Sequence, residues 1–249
     1  MATDPMQQFE IKEKAELFEI AGQSITFSNS ALWMIVSGIL IVGFFALTLR
    51  GKLVPGRLQS MGELSYQFIA DMIRDTTGPE AMKFLPFVFT LFFFILAANL
   101  IGMNPYAFTT TSHLAVTVAL AVMTIGIVII AGIAKNGLSW FKIFAPSGLP
   151  FIMYFIIIPI EVISFIARPI TLAVRLFANM VAGHVMLKLF AIFAAFLVTK
   201  GGAFIGAAIL PVLGVMGIAA LEFLVAALQA FVFAILTCIY LNDVYHVHH

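Results

Sequence analysis

The sequence predicts an all-α protein that is embedded in a membrane through about five helices. Hydrophobic residues make up 62% of the 249 positions and charged residues only 10%, whereas soluble domains are about 45–50% apolar and about 25% charged. The apolar residues form long runs, and a membrane core about 30 Å thick is spanned by about 20 such residues in a helix. Most of the surface is therefore expected to face lipid.

Three apolar runs in the first half of the chain have the length of one span each. They cover residues 29–49, 84–104 and 114–134. The segment 1–28 is predicted to lie outside the membrane, and its acidic residues argue against a cleavable signal peptide, which needs a basic start. Between the first two spans, Leu58 to Arg74 is amphipathic enough to form a helix along the membrane surface.

The last hundred residues contain two apolar segments that are too long for one upright span. Residues 149–198 lack a turn cluster, and as one helix they would measure about 75 Å. A hairpin turning near Pro159 or Pro169 is one interpretation. The favoured one is a single long, bent and steeply tilted helix, because a proline can kink a membrane helix without ending it. After a break at 199–202, residues 203–241 are predicted to form a second long, steeply tilted helix, and 1–249 is predicted to be a single membrane domain.

The distribution of basic residues predicts the orientation. The segment 50–83 holds five of them and 135–148 holds two, whereas the connector 105–113 holds none. Basic loops stay in the cytoplasm, so the N-terminus is predicted outside and the C-terminus inside. The basic residues are Arg50, Lys52, Arg57, Arg74, Lys83, Lys135 and Lys142.

Several classes of function are disfavoured by composition. A formal net charge of +1 without a basic block argues against nucleic acid binding. The single cysteine, Cys238, rules out an intrachain disulfide and a cysteine metal site. Neither a cofactor nor a metal ion is expected.

Ionisable residues inside a span cost about 2.5–3.5 kcal/mol each, so each one is a functional candidate. The segment 149–198 contains five of them: Glu161, Arg168, Arg175, His184 and Lys188. At about 100° per residue, one polar stripe lies within about 40° of Arg175. Its members are Glu161, Ser164, Arg168, Thr171, Arg175 and Asn179.

A second polar face begins at His184, nine residues after Arg175 and on the opposite side of the helix, and continues to Lys188. In the final segment Glu222, Gln229 and Tyr240 share one face. Glu222 is the only carboxylate of the apolar part of that segment, so it is the predicted partner of His184. A histidine–carboxylate pair can take up and pass on protons near neutral pH.

Arg175 is predicted to separate two proton paths. An arginine stays protonated and cannot act as a relay, but it repels cations and attracts a carboxylate of a partner. Two displaced polar faces with a fixed positive charge between them indicate two half-channels with a barrier.

Plainer interpretations exist for several of the charged residues. Glu161 and Arg168 could form an internal salt bridge, and Lys188 and Lys200 could extend to the membrane interface. His113 and the terminal histidines are expected to be solvated and without a role.

The segment Arg175–His184 resembles the R-L-F-x-N-x-x-x-G-[EH] pattern of subunit a of the F-type ATP synthase. The resemblance extends over most of the chain. It includes Asn99–Pro105, Glu161 with Ser164, and Leu228–Phe233, which contains Gln229. Histidine at 184 with glutamate at 222 is similar to the mitochondrial arrangement, which suggests a bacterium of that lineage and an inner-membrane location.

The resemblance implies a non-catalytic, proton-translocating stator subunit. Its partners would be a ring of c subunits, the b-type subunits of the peripheral stalk and the lipid bilayer. Arg175 would face the ring carboxylates. Asn179, His184, Glu222 and Gln229 would line the outer half-channel, and Glu161 and Ser164 the cytoplasmic one.

A self-contained secondary transporter is the rival hypothesis from another class. Such proteins have an internal repeat with paired broken helices, which this sequence lacks, since its first three spans hold no buried ionisable residue. A purely structural anchor would not explain two polar faces. Saturable solute transport by the chain alone would favour the transporter.

Overall fold

The computed structural model describes residues 13–20, 23–48, 54–104, 107–144 and 151–245. Five helical segments in these ranges are long and apolar enough to cross a membrane, as judged by length and composition. They are Asn29–Thr48, Pro79–Gly102, Leu114–Asn136, Met153–Lys200 and Phe204–Tyr245. The predicted all-α membrane fold with about five embedded helices is confirmed.

The elements are labelled in chain order. The helices are α1 (Asn29–Thr48), α2 (Arg57–Thr77), α3 (Leu85–Gly102), α4 (Leu114–Asn136), α5 (Phe151–Lys200), α6 (Ala203–Ala207) and α7 (Ile209–Tyr245), with short 3₁₀ helices at Pro79–Phe84, Thr110–Ser112 and Gly137–Phe144. Two strands, β1 (Glu13–Ile20) and β2 (Gln23–Ser28), pair antiparallel before α1. This hairpin is an addition to the predicted fold, since no strand was expected in 1–28.

The first long helix is continuous. Helix α5 contains Pro159 and Pro169 in its interior and runs through both, so the favoured interpretation of a single long helix is correct and the hairpin is wrong. The second long segment is divided: α6 ends at Ala207, and α7 starts at Ile209 and continues four residues beyond the predicted end. The turn before α6 is shorter than the predicted break at 199–202, because α5 continues to Lys200. The turn is formed by Gly201 and Gly202, which adopt positive φ angles of 71° and 60°.

The predicted amphipathic helix is α2, which is three residues longer than expected at its C-terminus. Its C-terminal half is packed against protein: Ile69 and Ile73 are fully buried, and the Thr77 hydroxyl donates to the carbonyl of Cys238 at 2.9 Å. Gly78 then ends the helix with a φ of 94°. Its position along a membrane surface stays a prediction.

The chain forms two compact units. The first combines Met1–Ile41, Phe94–His113 and Leu176–Gln229, and the second combines Val42–Phe93, Leu114–Arg175 and Ala230–His249. The single membrane domain stays a prediction. Arg50, Lys52, the predicted start of the long helix at 149 and the terminal histidines lie outside the described residues.

Candidate functional site

A buried histidine–glutamate pair is the centre of the first unit. His184 on α5 and Glu222 on α7 are only 8% and 5% exposed, and His184 Nδ1 lies 2.5 Å from Glu222 Oε1. The contact predicted from the sequence is therefore present. At this distance a proton can be shared between the imidazole and the carboxylate, so the pair can be neutral or ionic without losing its contact.

The second nitrogen of His184 contacts groups that the sequence analysis missed. Nε2 lies 2.8 Å from the carbonyl oxygen of Gly102 and 3.1 Å from Thr109 Oγ1, and the Thr109 hydroxyl donates to that same carbonyl at 3.1 Å. A carbonyl only accepts hydrogen bonds. Nε2 therefore carries a proton, which leaves Nδ1 as the nitrogen that exchanges a proton with Glu222.

Gly183 provides the space for the carboxylate. A Cβ atom built at position 183 would lie 2.8 Å from Glu222 Oε1, which is closer than real Cβ contacts, and 3.0 Å from its Cδ. The glycine that precedes the histidine in the sequence pattern is thus needed for close packing of α5 against the Glu222 side chain.

A cleft of about 240 Å³ lies beside the pair. It is lined by Asn179, Ala182, Gly183 and Met186 of α5 and by Ile218, Leu221, Glu222 and Val225 of α7. Among the described residues, Glu222 Oε2 has no hydrogen-bond partner although it is buried. The cleft has ample room for water next to this carboxylate, and water needs such polar partners.

Two further polar side chains are buried in the same unit. Gln229 is 6% exposed and lies two turns after Glu222 on α7. Asn99 of α3 is fully buried and its Nδ2 donates to the carbonyl of Ala226 at 3.3 Å. Asn99, from the motif singled out in the sequence, therefore helps to attach α3 to α7, and Gly102 of the same motif contacts His184.

Arg175 belongs to the second unit and lies on an exposed side of α5. Its neighbours Leu172 and Ala173 are buried, at 3% and 1% exposure. Asn179, one turn further along the helix, is also exposed. The arginine is thus on a face of the helix that is exposed in the described part of the chain.

The remaining residues of the polar stripe separate into two groups. Ser164 and Thr171 are exposed and Glu161 is half-buried. Arg168 instead pairs with Asp243 of α7, Nη1 to Oδ2 at 2.9 Å, and its guanidinium lies over the Tyr240 ring at 5.0 Å. Among the described residues the carboxylate partner of Arg168 is therefore Asp243, and the alternative of a Glu161–Arg168 salt bridge is wrong.

His113 is not the solvated residue that the sequence analysis expected. Its ring stacks on Phe108 with 4.9 Å between centroids, and its Nε2 is buried without a hydrogen-bond partner in the described part of the chain. Burial lowers the pKa of the His113 imidazole, so this side chain is neutral at neutral pH. The preceding hydroxyl residues Thr110 and Thr111 are almost fully buried as well.

The other candidates occupy ordinary positions. Lys188 is half-buried on α5, and Lys200, at the end of α5, is exposed with its Nζ 5.3 Å from the Phe196 ring. No cluster of three or more His, Cys, Asp or Glu that could hold a metal ion occurs in the described ranges.

Comparison with known proteins identifies a consistent set of relatives. Residues 31–242 match the family described as ATP synthase A chain. The chain is 56% identical to ATP synthase subunit a of Hyphomonas neptunium, over 99% of this chain and 97% of the relative. It is 49% identical to the protein of the same description from Mesorhizobium japonicum (99% and 98% covered) and 51% identical to that from Rhodopseudomonas palustris (100% of both).

Proposed function

Because the chain belongs to the ATP synthase A chain family, we propose that it is the proton-translocating stator subunit of an F-type ATP synthase. The observation that carries this proposal is the His184–Glu222 pair, which is buried between two helices of spanning length with 2.5 Å between His184 Nδ1 and Glu222 Oε1. The subunit catalyses no reaction itself. It delivers protons to, and collects them from, carboxylates on a ring of c subunits.

The outer half-channel consists of Asn179, His184, Glu222 and Gln229. A cleft lined by both Asn179 and Glu222 supports this assignment. A proton on Nδ1 of His184 can move to Glu222 while Nε2 stays hydrogen-bonded to Gly102. The carboxylate can then release the proton to water in the cleft, because Glu222 lines the cleft and its Oε2 has no hydrogen-bond partner among the described residues.

Arg175 separates this path from a cytoplasmic half-channel that contains Glu161 and Ser164. The guanidinium is permanently charged and lies on an exposed side of a helix that is apolar enough to span a membrane. In that position it attracts an ionised carboxylate of the ring and repels a proton that would pass directly between the half-channels. Ring rotation is then the only route for the proton.

The proposed assembly follows from the same exposed surface. Large apolar side chains such as Ile163, Ile170 and Val174 are about half-exposed on α5, which suits contact with the c ring and with lipid. Peripheral-stalk b-type subunits complete the membrane sector. The chain lies in the bacterial inner membrane with its N-terminus in the periplasm and its C-terminus in the cytoplasm, because the basic residues Arg57, Arg74, Lys83 and Lys135 lie in or beside the loops on one side.

The test is Arg175→Ala in the assembled complex, with ATP-driven acidification of inverted membrane vesicles as the measurement. We expect pumping to be abolished while the amount of the subunit in the membrane is unchanged. Arg74→Ala is the matched control, because Arg74 is an exposed arginine that pairs with the exposed Asp71, and this variant should pump normally. If Arg175→Ala vesicles still pump, the proposed role of the arginine is wrong.

A further inference from the structure

A cleft of the second unit lies at the ends of three spans. It has a volume of about 410 Å³ and is lined by residues from the Pro79–Phe84 turn, from α4 and from the end of α7. Lys83 precedes α3, Lys135 is the penultimate residue of α4, and Tyr245 is the last residue of α7. All three spans therefore begin or end at this cleft, which places its rim at the depth of the lipid headgroups.

The rim carries one net positive charge. Lys135 Nζ lies 2.6 Å from Glu80 Oε2, so these two charges neutralise each other. Lys83 is exposed and lies 5.1 Å from the Tyr245 ring, and no carboxylate of the described residues pairs with it. An anion at the rim thus meets an ammonium group whose charge is not yet compensated.

Tyr245 supplies an unused hydrogen-bond donor at the same place. The residue is 6% exposed, its ring is held by Lys135 at 3.9 Å from the centroid, and its hydroxyl is buried without a hydrogen-bond partner among the residues described. A buried hydroxyl without a partner is costly. A phosphate oxygen of a bound ligand would satisfy it.

The wall below the rim is apolar. It consists of Ile127, Ile130, Ala131 and Ala134 of α4, which extend over about 10 Å along the helix. Ile130 is 68% exposed. A cleft with a charged rim at headgroup depth and an apolar wall below it is complementary to a phospholipid.

We propose that this cleft binds one anionic phospholipid, with its phosphate on Lys83 and the Tyr245 hydroxyl and one acyl chain along α4. Basic pockets between membrane helices are suited to such headgroups. The rival occupant is a helix of a partner subunit. A helix about 10 Å across fills about 400 Å³ per turn, so the cleft has room for only a single turn of helix, whereas an extended acyl chain fits along the wall.

The experiment measures lipid contact at the wall. Cys238 is fully buried, so a thiol introduced by Ile130→Cys can be labelled selectively with a fluorophore in the full chain reconstituted in nanodiscs. Quenching by phosphatidylglycerol with brominated acyl chains is compared with quenching by brominated phosphatidylcholine. Val122→Cys is the control site, since Val122 is 58% exposed on the same helix but is not part of the cleft.

We expect phosphatidylglycerol to be preferred about fivefold at position 130, which is the effect of one interfacial lysine, and not at position 122. Lys83→Gln should abolish the preference and Tyr245→Phe should reduce it. Lys200→Gln should leave it unchanged, because Lys200 is also an exposed lysine near an aromatic ring at a span end. Equal quenching by both lipids, or the same loss with Lys200→Gln, would overturn the proposal.

A second measurement excludes the partner helix. A photoreactive benzophenone side chain at position 130 is activated in cells that contain the assembled complex. We expect no protein adduct of this subunit, and a cross-link to another subunit would show that protein and not lipid covers the cleft. Neither measurement depends on pumping, so their outcome is independent of the proposed function.

Discussion

Two ion pairs connect α5 with α7, one in each compact unit, and they differ in burial. The side chains of His184 and Glu222 are 10% and 4% exposed, whereas those of Arg168 and Asp243 are 26% and 38% exposed. The buried pair contains a histidine, so it can become neutral by moving one proton. The half-exposed pair contains an arginine and stays charged. The first arrangement is suited to proton transfer and the second to holding the end of a helix.

The difference in burial also predicts how much stability is lost when each pair is broken. Removing one member of a buried pair leaves a polar or charged group without water or a partner, which costs about 3–5 kcal/mol. An exposed pair is worth about 0.2–1 kcal/mol. The two expected energies can be tested by substituting one pair while the other pair stays intact.

The largest expected effect is at the buried pair. His184→Leu and Glu222→Leu should each lower the free energy of unfolding by about 3–5 kcal/mol, measured by denaturant titration of the purified chain in detergent. The double variant should be less destabilised than either single variant, because an apolar pair leaves no orphaned group. All three should fail to pump. Additive losses in the double variant would contradict a coupled pair.

A smaller effect is expected when the space for the carboxylate is reduced. In Gly183→Ala the new Cβ would meet Glu222 Oε1, and such overpacking costs about 1–3 kcal/mol. Gly217→Ala in α7 is the control, because nothing lies within 4 Å of a Cβ at that position, and it should be neutral or slightly stabilising. Thermal unfolding of both variants and their pumping rates measure the difference. Equal behaviour of the two variants would show that α5 and α7 are not closely packed at Glu222.

Removing the hydroxyl that contacts His184 should have a more modest effect. Thr109→Val keeps the shape of the side chain but loses the contacts with Nε2 and with the Gly102 carbonyl, and one hydrogen bond is worth about 0.5–1.5 kcal/mol. We expect that loss of stability together with slower ATP-driven pumping. Thr199→Val serves as the control, since the Thr199 hydroxyl is exposed and donates to the carbonyl of Phe196 in its own helix. Pumping at the wild-type rate would mean that the Thr109 contact does not position the histidine.

The smallest effect is expected at the half-exposed pair. Asp243→Asn should change the free energy of unfolding by less than about 1 kcal/mol, and the loss should decrease further at high salt. Asp71→Asn is a matched control, since Asp71 pairs with Arg74 at a more exposed position. A loss as large as that of Glu222→Leu would remove the distinction between the two pairs.

The helices could be predicted because length and apolar composition identify segments that span a membrane, and the favoured single helix through Pro159 and Pro169 is correct. The β1–β2 hairpin was missed because a hydropathy profile identifies long apolar segments and does not indicate the structure of a short segment outside them. The interruption at Ala208 was missed for another reason: the residues around it are apolar, and Gly206 and Pro211, which flank the break, are of types that also occur inside continuous membrane helices.

The contacts of the candidate site also divide into those that could be predicted from the sequence and those that could not. His184 and Glu222 could be paired from the sequence because each is an ionisable residue in an apolar segment. Gly102 contacts His184 through its backbone carbonyl. Because every residue has a backbone carbonyl, the residue types in the sequence could not indicate this contact. Asp243 was overlooked because it lies in the polar end of α7, where a carboxylate is unremarkable.

The sequence by itself determined the class of the protein, its membrane helices and the ionisable residues within its apolar segments, because the cost of placing a charge in an apolar segment is a local property. Only the tertiary structure decided which groups meet: Thr109 with His184, separated by 75 positions, and Arg168 with Asp243, also separated by 75. Such contacts depend on how the helices pack, and packing is set by the shapes of many side chains together.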